Sequence, residues 1–133
     1  MSENKAKKIA VVKENQKLRL AIRRAIMELG FPSPTLFPNG TSLIRWMAKG
    51  EDFDVILMDY DLPEMDGIEA ARMIRKRRFG IKIVVISEFD LVRQRAWANG
   101  FHFLKRPFIK AGLAEVLNSC FEELESVNDS IPV

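Results

Sequence analysis

The feature that most constrains this chain is an alternation of short apolar runs with longer amphipathic stretches. IAVV, TLF, DVILM, IKIVVI and FHFLK are separated by segments of helical period. That order is the signature of repeated βα units and a parallel sheet. The runs predict strands at 8–12, 34–37, 54–59, 81–86 and 101–105. Three of them, IAVV, DVILM and IKIVVI, are nearly continuous in apolar residues, as strands covered on both faces require. TLF, bracketed by Pro34 and Pro38, is short and belongs at an edge.

Between the strands, Leu18, Ala21, Ile22, Ala25, Ile26 and Leu29 form one helical stripe, with Asn15 as the expected N-cap and Gly30 as the stop. A second helix is expected over about 41–49, a third from Asp66, a short fourth near 90–98 and a fifth over about 110–126. The fifth aligns Leu113, Val116, Leu117, Cys120, Phe121 and Leu124, and SVNDSIPV is expected to be a loose tail. Right-handed crossovers turn this order into a five-stranded, parallel, doubly wound α/β sheet flanked by five helices. The loops after the first, third, fourth and fifth strands then converge on one edge. They carry Lys13 and Glu14; Asp59 and Asp61; Ser87; and Lys105, Arg106 and Pro107.

A length of 133 residues holds one domain, and 47% hydrophobic content is enough for its core. Residues 7–127 are assigned to that domain, 1–6 and 128–133 to loose termini. There is no apolar run of about 18 residues to span a membrane, and MSENKAKK leads into too short an apolar segment for a signal peptide, so a cytoplasmic location is expected. The lone Cys120 reads as a buried small hydrophobe, and the solitary His102 as an ordinary strand residue. A net charge of +3 is too mild to imply nucleic acid. The run Arg72, Arg75, Lys76, Arg77, Arg78 complements a helix C-terminus.

An aspartate closing a buried strand is a candidate nucleophile, because a carboxylate can accept a phosphoryl group as an acyl phosphate. Asp59, at the end of DVILMD, has that position. Such chemistry needs cations and donors around the incoming charge, and Glu14, Ser87 and Arg106 or Lys105 are residues of the required types for metal, hydroxyl and basic roles.

These residues resemble the receiver domain of two-component response regulators, over about Lys7 to Val127, and DVILMDYDLPEMDG is the most specific stretch. The resemblance implies a CheY-like, flavodoxin-like sheet of order 2-1-3-4-5. It further implies Asp59 as phospho-acceptor, Ser87 as switch hydroxyl, Phe103 as switch aromatic, and Arg106 (or Lys105, if the last strand shifts) in place of a phosphate-binding lysine. Magnesium would be held by Glu14, Asp59 and the backbone carbonyl of Asp61, and the Arg106–Pro107 bond would be cis. A sensor histidine kinase or phosphotransfer protein would donate the phosphate. A downstream protein would dock on the face of helix four, strand five and helix five, and a spare edge of the last helix would suit a homodimer. No DNA-binding domain is expected within these 133 residues.

The departures concern the acids. Receivers usually end the first strand with two adjacent acids; here the pair is Lys13 and Glu14. The usual site is net negative, whereas Glu14 and Asp59 are balanced by Lys13 and Arg106. Magnesium affinity is therefore expected to be weak. Lys13 either extends its ammonium into solvent along its apolar stem or pairs with Asp59 or Glu14. Two rival functions follow: a receiver-like interaction module that needs no phosphate, and a phosphatase using Asp59 and Asp61 in a DxD arrangement. The second requires that motif on the first strand, and here it lies on the third.

Overall fold

The computed structural model describes residues 7–129. Five strands and five helices alternate: β1 (Ile9–Val12), α1 (Gln16–Glu28), β2 (Thr35–Phe37), α2 (Gly40–Ala48), β3 (Val55–Asp59), α3 (Gly67–Arg77), β4 (Lys82–Ser87), α4 (Asp90–Ala98), β5 (His102–Lys105) and α5 (Lys110–Asp129). The strands form one parallel sheet in the order β2-β1-β3-β4-β5, with TLF at an edge as its prolines require.

Because side chains alternate across a strand, the sheet divides the core in two. Ala10, Val12, Ile56, Met58, Ile83 and Val85 face α2, α3 and α4, through Leu43, Ile68, Ile74 and Val92. Their neighbours Ile9, Val11, Val55, Leu57 and Val84 face α1 and α5, through Ile26, Leu113, Leu117, Cys120 and Phe121. Burial on both faces explains why the central strands read as unbroken apolar runs.

Local signals set the helix ends. The Asn15 side chain accepts a hydrogen bond from the backbone N–H of Leu18 at 2.9 Å, and Gly30 takes a positive φ of 93° after the last turn of α1. At α3, Asp66 and Glu69 form a reciprocal capping box. Gly67 follows immediately. A Cβ there would lie 2.4 Å from the carbonyl oxygen of Asp59, so only glycine lets α3 start directly against the end of β3.

Two expectations need correction. The first turn of α1 is not core: Leu18 is 49% exposed and Ala21 is also exposed, because this turn overhangs the end of the sheet and only Ile26 is fully covered. The last helix runs to Asp129, so the first four residues of the expected loose tail SVNDSIPV, positions 126–129, are helical. No Gly or Pro interrupts SVND. The expected loose segments 1–6 and 130–133 lie outside the described residues.

Candidate functional site

Parallel strands place their C-terminal ends side by side, and the ends of β1, β3, β4 and β5 gather the candidate residues. Lys13 follows β1, and its backbone N–H still donates to the Phe37 carbonyl at 3.0 Å. Asp59 ends β3, and Ser87 ends β4. The next turn is fixed by the Tyr60 N–H donating to the Ile86 carbonyl at 2.8 Å and the Arg106 N–H donating to the Ser87 carbonyl at 3.0 Å. The Arg106–Pro107 bond is cis, as the resemblance to receivers implied.

Lys13 turns inward. Its side chain is 11% exposed and its Nζ donates to Asp59 Oδ2 at 2.8 Å, Asp59 itself being 2% exposed. Of the two placements open to Lys13, pairing with Asp59 is the one adopted. The guanidinium of Arg106 lies on the other side, with Nη1 3.9 Å from Asp59 Oδ1 and Nη2 donating to Asp61 Oδ2 at 2.9 Å. Asp59 Oδ1 and Arg106 Nε are buried and have no hydrogen-bond partner among the described residues. Burial pushes the Asp59 carboxyl above its ordinary value, although the hydrogen bond and charge of Lys13, and the charge of Arg106, pull the other way.

The alternative to Arg106 is not realised. Lys105 pairs with Ser87 in the sheet register, but its ammonium lies on Asp90 of α4 at 3.2 Å. Successive strand residues point to opposite faces, so only one of Lys105 and Arg106 can reach Asp59. Ser87 is fully buried, and its Oγ accepts from the Phe89 N–H at 3.1 Å. Glu14 is exposed, and its backbone carbonyl accepts from Arg19 at 3.1 Å. Phe103 is half-buried on β5. The Arg93 guanidinium of α4 stands 5.9 Å from its ring and 5.5 Å from the ring of Trp97, which is 60% exposed. His102 is no ligand in this arrangement; its Nε2 lies 2.9 Å from Glu123.

A groove of about 480 Å3 opens beside the Lys13–Asp59 pair. Leu18, Ala21 and Ile22 of α1 form one wall, and Phe108, Ile109 and Leu113 the other. The exposed first turn of α1 is thus one side of an apolar approach to Asp59. Sequence reading missed three contributors to this site: Gly67, which seats α3 against Asp59; the Asp61 carboxylate, which holds Arg106; and Arg93, which stacks on Phe103. The Asp-Gly pair in DLPEMDG was the available signal for the first. Long-range ion pairs such as the second leave no periodic trace.

The family model described as response regulator receiver domain matches residues 9–118. The chain belongs to the response regulator receiver domain family. It is 28% identical over 126 residues to chemotaxis protein CheY-3 of Vibrio cholerae, covering 91% of this chain and 96% of that protein. Among solved structures, a receiver domain protein from Clostridium thermocellum superposes with a TM-score of 0.83 at 18% identity, covering 91% of this chain and 98% of the other. Response regulator TrrA of Thermotoga maritima, solved in complex with Mg(2+)-BeF, gives 0.77 at 21% identity, covering 86% and 98%. The receiver is therefore a domain of the two-component signalling type.

Receiver domains typically bind Mg2+ in an acidic pocket. The residues of this receiver, as arranged, do not fit a divalent ion. Asp59 Oδ2 is taken by an ammonium, the Arg106 guanidinium stands beside Oδ1, and Glu14, the other acid of the implied set, is exposed. Among the described residues no group of three or more His, Cys, Asp or Glu side chains is placed to hold a metal. Nor is any helix among them long and apolar enough to cross a membrane.

Proposed function

We propose that this receiver is a phosphoryl-accepting switch, with Asp59 taking phosphate from a histidine kinase or phosphotransfer protein. The observation that carries this reading is the state of one carboxylate. Asp59 is sealed at the C-terminal edge of the sheet, with Oδ2 bound by Lys13 and Oδ1 unpartnered beside a guanidinium. A nucleophilic oxygen next to fixed positive charge is what phosphoryl transfer requires of a protein. In this reading Arg106 meets the phosphoryl oxygens, the Ser87 hydroxyl donates to one of them, and Phe103 responds on the face of α4, β5 and α5, where a downstream protein docks. The donor approaches through the apolar groove between α1 and the start of α5.

The reading extends to the remaining expectations. The functional unit is residues 7–127, acting in the cytoplasm, with autophosphorylation and autodephosphorylation as its only chemistry. Magnesium binds weakly, since it must compete with Lys13 for Asp59. Incubation with acetyl phosphate followed by intact-mass measurement tests the central claim: one phosphoryl increment is expected, and none in Asp59→Asn. One observation favours a second reading, a docking module that needs no phosphate: the Lys13–Asp59 pair already neutralises the acceptor. Absence of any labelling would leave that module as the better account.

A further inference from the structure

We infer that the Lys13 ammonium is the resident cation of this site, so that Asp59 is phosphorylated without a divalent metal. The inference rests on the acceptor reading above and names what supports the reaction. Phosphoryl transfer places little covalent demand on a protein; it needs an aligned nucleophile and positive charge at the transferring oxygens. Both are built from side chains here. Lys13 Nζ sits 2.8 Å from Asp59 Oδ2, and Arg106 Nη1 lies 3.9 Å from Oδ1, so the carboxylate is flanked by cations on either side. A divalent ion would have to displace the ammonium from Oδ2, with only the exposed Glu14 offering a further uncommitted acid at the end of β1.

The two carboxylate oxygens therefore have different tasks. Oδ1 is buried and unpartnered, and it is the one that attacks. A new bond forms between Oδ1 and phosphorus as the bond from phosphorus to the donor breaks. The leaving atom, a nitrogen of a phosphohistidine or the carboxylate oxygen of a small acyl phosphate, departs with the electron pair. Oδ2 becomes the carbonyl oxygen of the acyl phosphate and keeps its hydrogen bond from Lys13. Arg106, whose Nε is also buried and unpartnered, exchanges its contact with Asp61 for the phosphoryl oxygens.

The test uses the whole chain stripped of metal. Acetyl phosphate is added in excess EDTA and, in parallel, in excess magnesium chloride, and the phosphorylated fraction is followed by intact mass. Equal labelling rates, within a factor of about two, are expected. In Lys13→Asp, which restores an acid and removes the ammonium, labelling in EDTA is expected to fall about tenfold or more and to recover with magnesium. A magnesium titration followed by tryptophan fluorescence supplies a readout independent of labelling: a response in Lys13→Asp at concentrations where the native protein gives none is expected. Labelling of the native protein only when magnesium is present would overturn the inference while leaving Asp59 as acceptor. No labelling in either condition, for native protein and variant alike, would remove the acceptor reading and this inference with it.

Discussion

The ammonium of Lys13 and the carboxylate of Asp59 meet at 2.8 Å across the ends of β1 and β3, with both side chains nearly closed to water. Each charge is tolerable there because of the other. Removing one partner of a buried pair costs about 3–5 kcal/mol, since the survivor remains desolvated. Lys13→Met is expected near the lower end of that range, because Arg106 is close enough to Asp59 to offset part of the loss. The double variant with Asp59→Asn should be more stable than Lys13→Met alone. Urea denaturation of both single variants and the double variant gives the coupling; simple additivity would show that the pair contributes nothing beyond its parts.

Gly67 tests how the fold presents Asp59. A methyl group at this position would stand 2.4 Å from the Asp59 carbonyl oxygen and 2.9 Å from the Tyr60 Cα, both backbone atoms. Relief requires α3 to retreat from the end of β3. Gly67→Ala is expected to lose about 1–3 kcal/mol, the usual range for overpacking, despite alanine's better helix propensity. Thermal unfolding measures the loss, and NMR shifts at Tyr60 should report the displacement.

Cys120 is fully buried in α5, and burial pushes its thiol up to about 12, with Glu123 adding to the effect. Thiolate is the reactive form, so the native protein should resist iodoacetamide at mildly alkaline pH and react at a rate set by opening of the fold. The variant Gly67→Ala should speed labelling by the factor its lost stability sets, about tenfold for each ~1.4 kcal/mol. Rapid labelling of native protein, independent of stability, would contradict the packing of α5.

The cluster of Glu123, His102 and Lys82 predicts a pH dependence. Burial alone raises the Glu123 carboxyl, but hydrogen bonds from His102 and Lys82 outweigh it and hold the group below its ordinary 4.5. A depressed carboxyl contributes stability that is complete above the ordinary value and is lost as pH falls through the lower, folded value. The Glu123 side chain is 47% exposed, so solvent screening limits the contribution to a few tenths of a kcal/mol, within the ~0.2–1 kcal/mol typical of exposed pairs. Glu123→Gln should flatten the stability profile in that acidic window and leave it parallel to wild type above it.

Most of the fold was legible because its causes are periodic. Unbroken apolar runs such as DVILM marked strands buried on both faces, Asn15 and Gly30 marked the ends of α1, and right-handed crossovers then allowed few topologies. The site was legible as a set of residues at strand ends, but its pairings were not. A lysine at a strand end reaches solvent and an inward carboxylate equally well, and only the three-dimensional neighbourhood selects Asp59 for Lys13. Lys105 and Arg106 were interchangeable until the register Ser87 to Lys105 sent one to Asp90 and the other to Asp59. Leu18 looked like core because the helical stripe is continuous, whereas the sheet beneath it ends.

A counterion carried on a side chain differs from a dissolved one in a way that matters for a signalling protein. The ammonium of Lys13 is delivered by its own stem, so its effective concentration at Asp59 is set by geometry and not by the surrounding solution. It cannot be diluted or chelated, and any other ion must displace it. For a receiver built this way, fluctuations in the cell's divalent ions would leave the acceptor's surroundings unchanged.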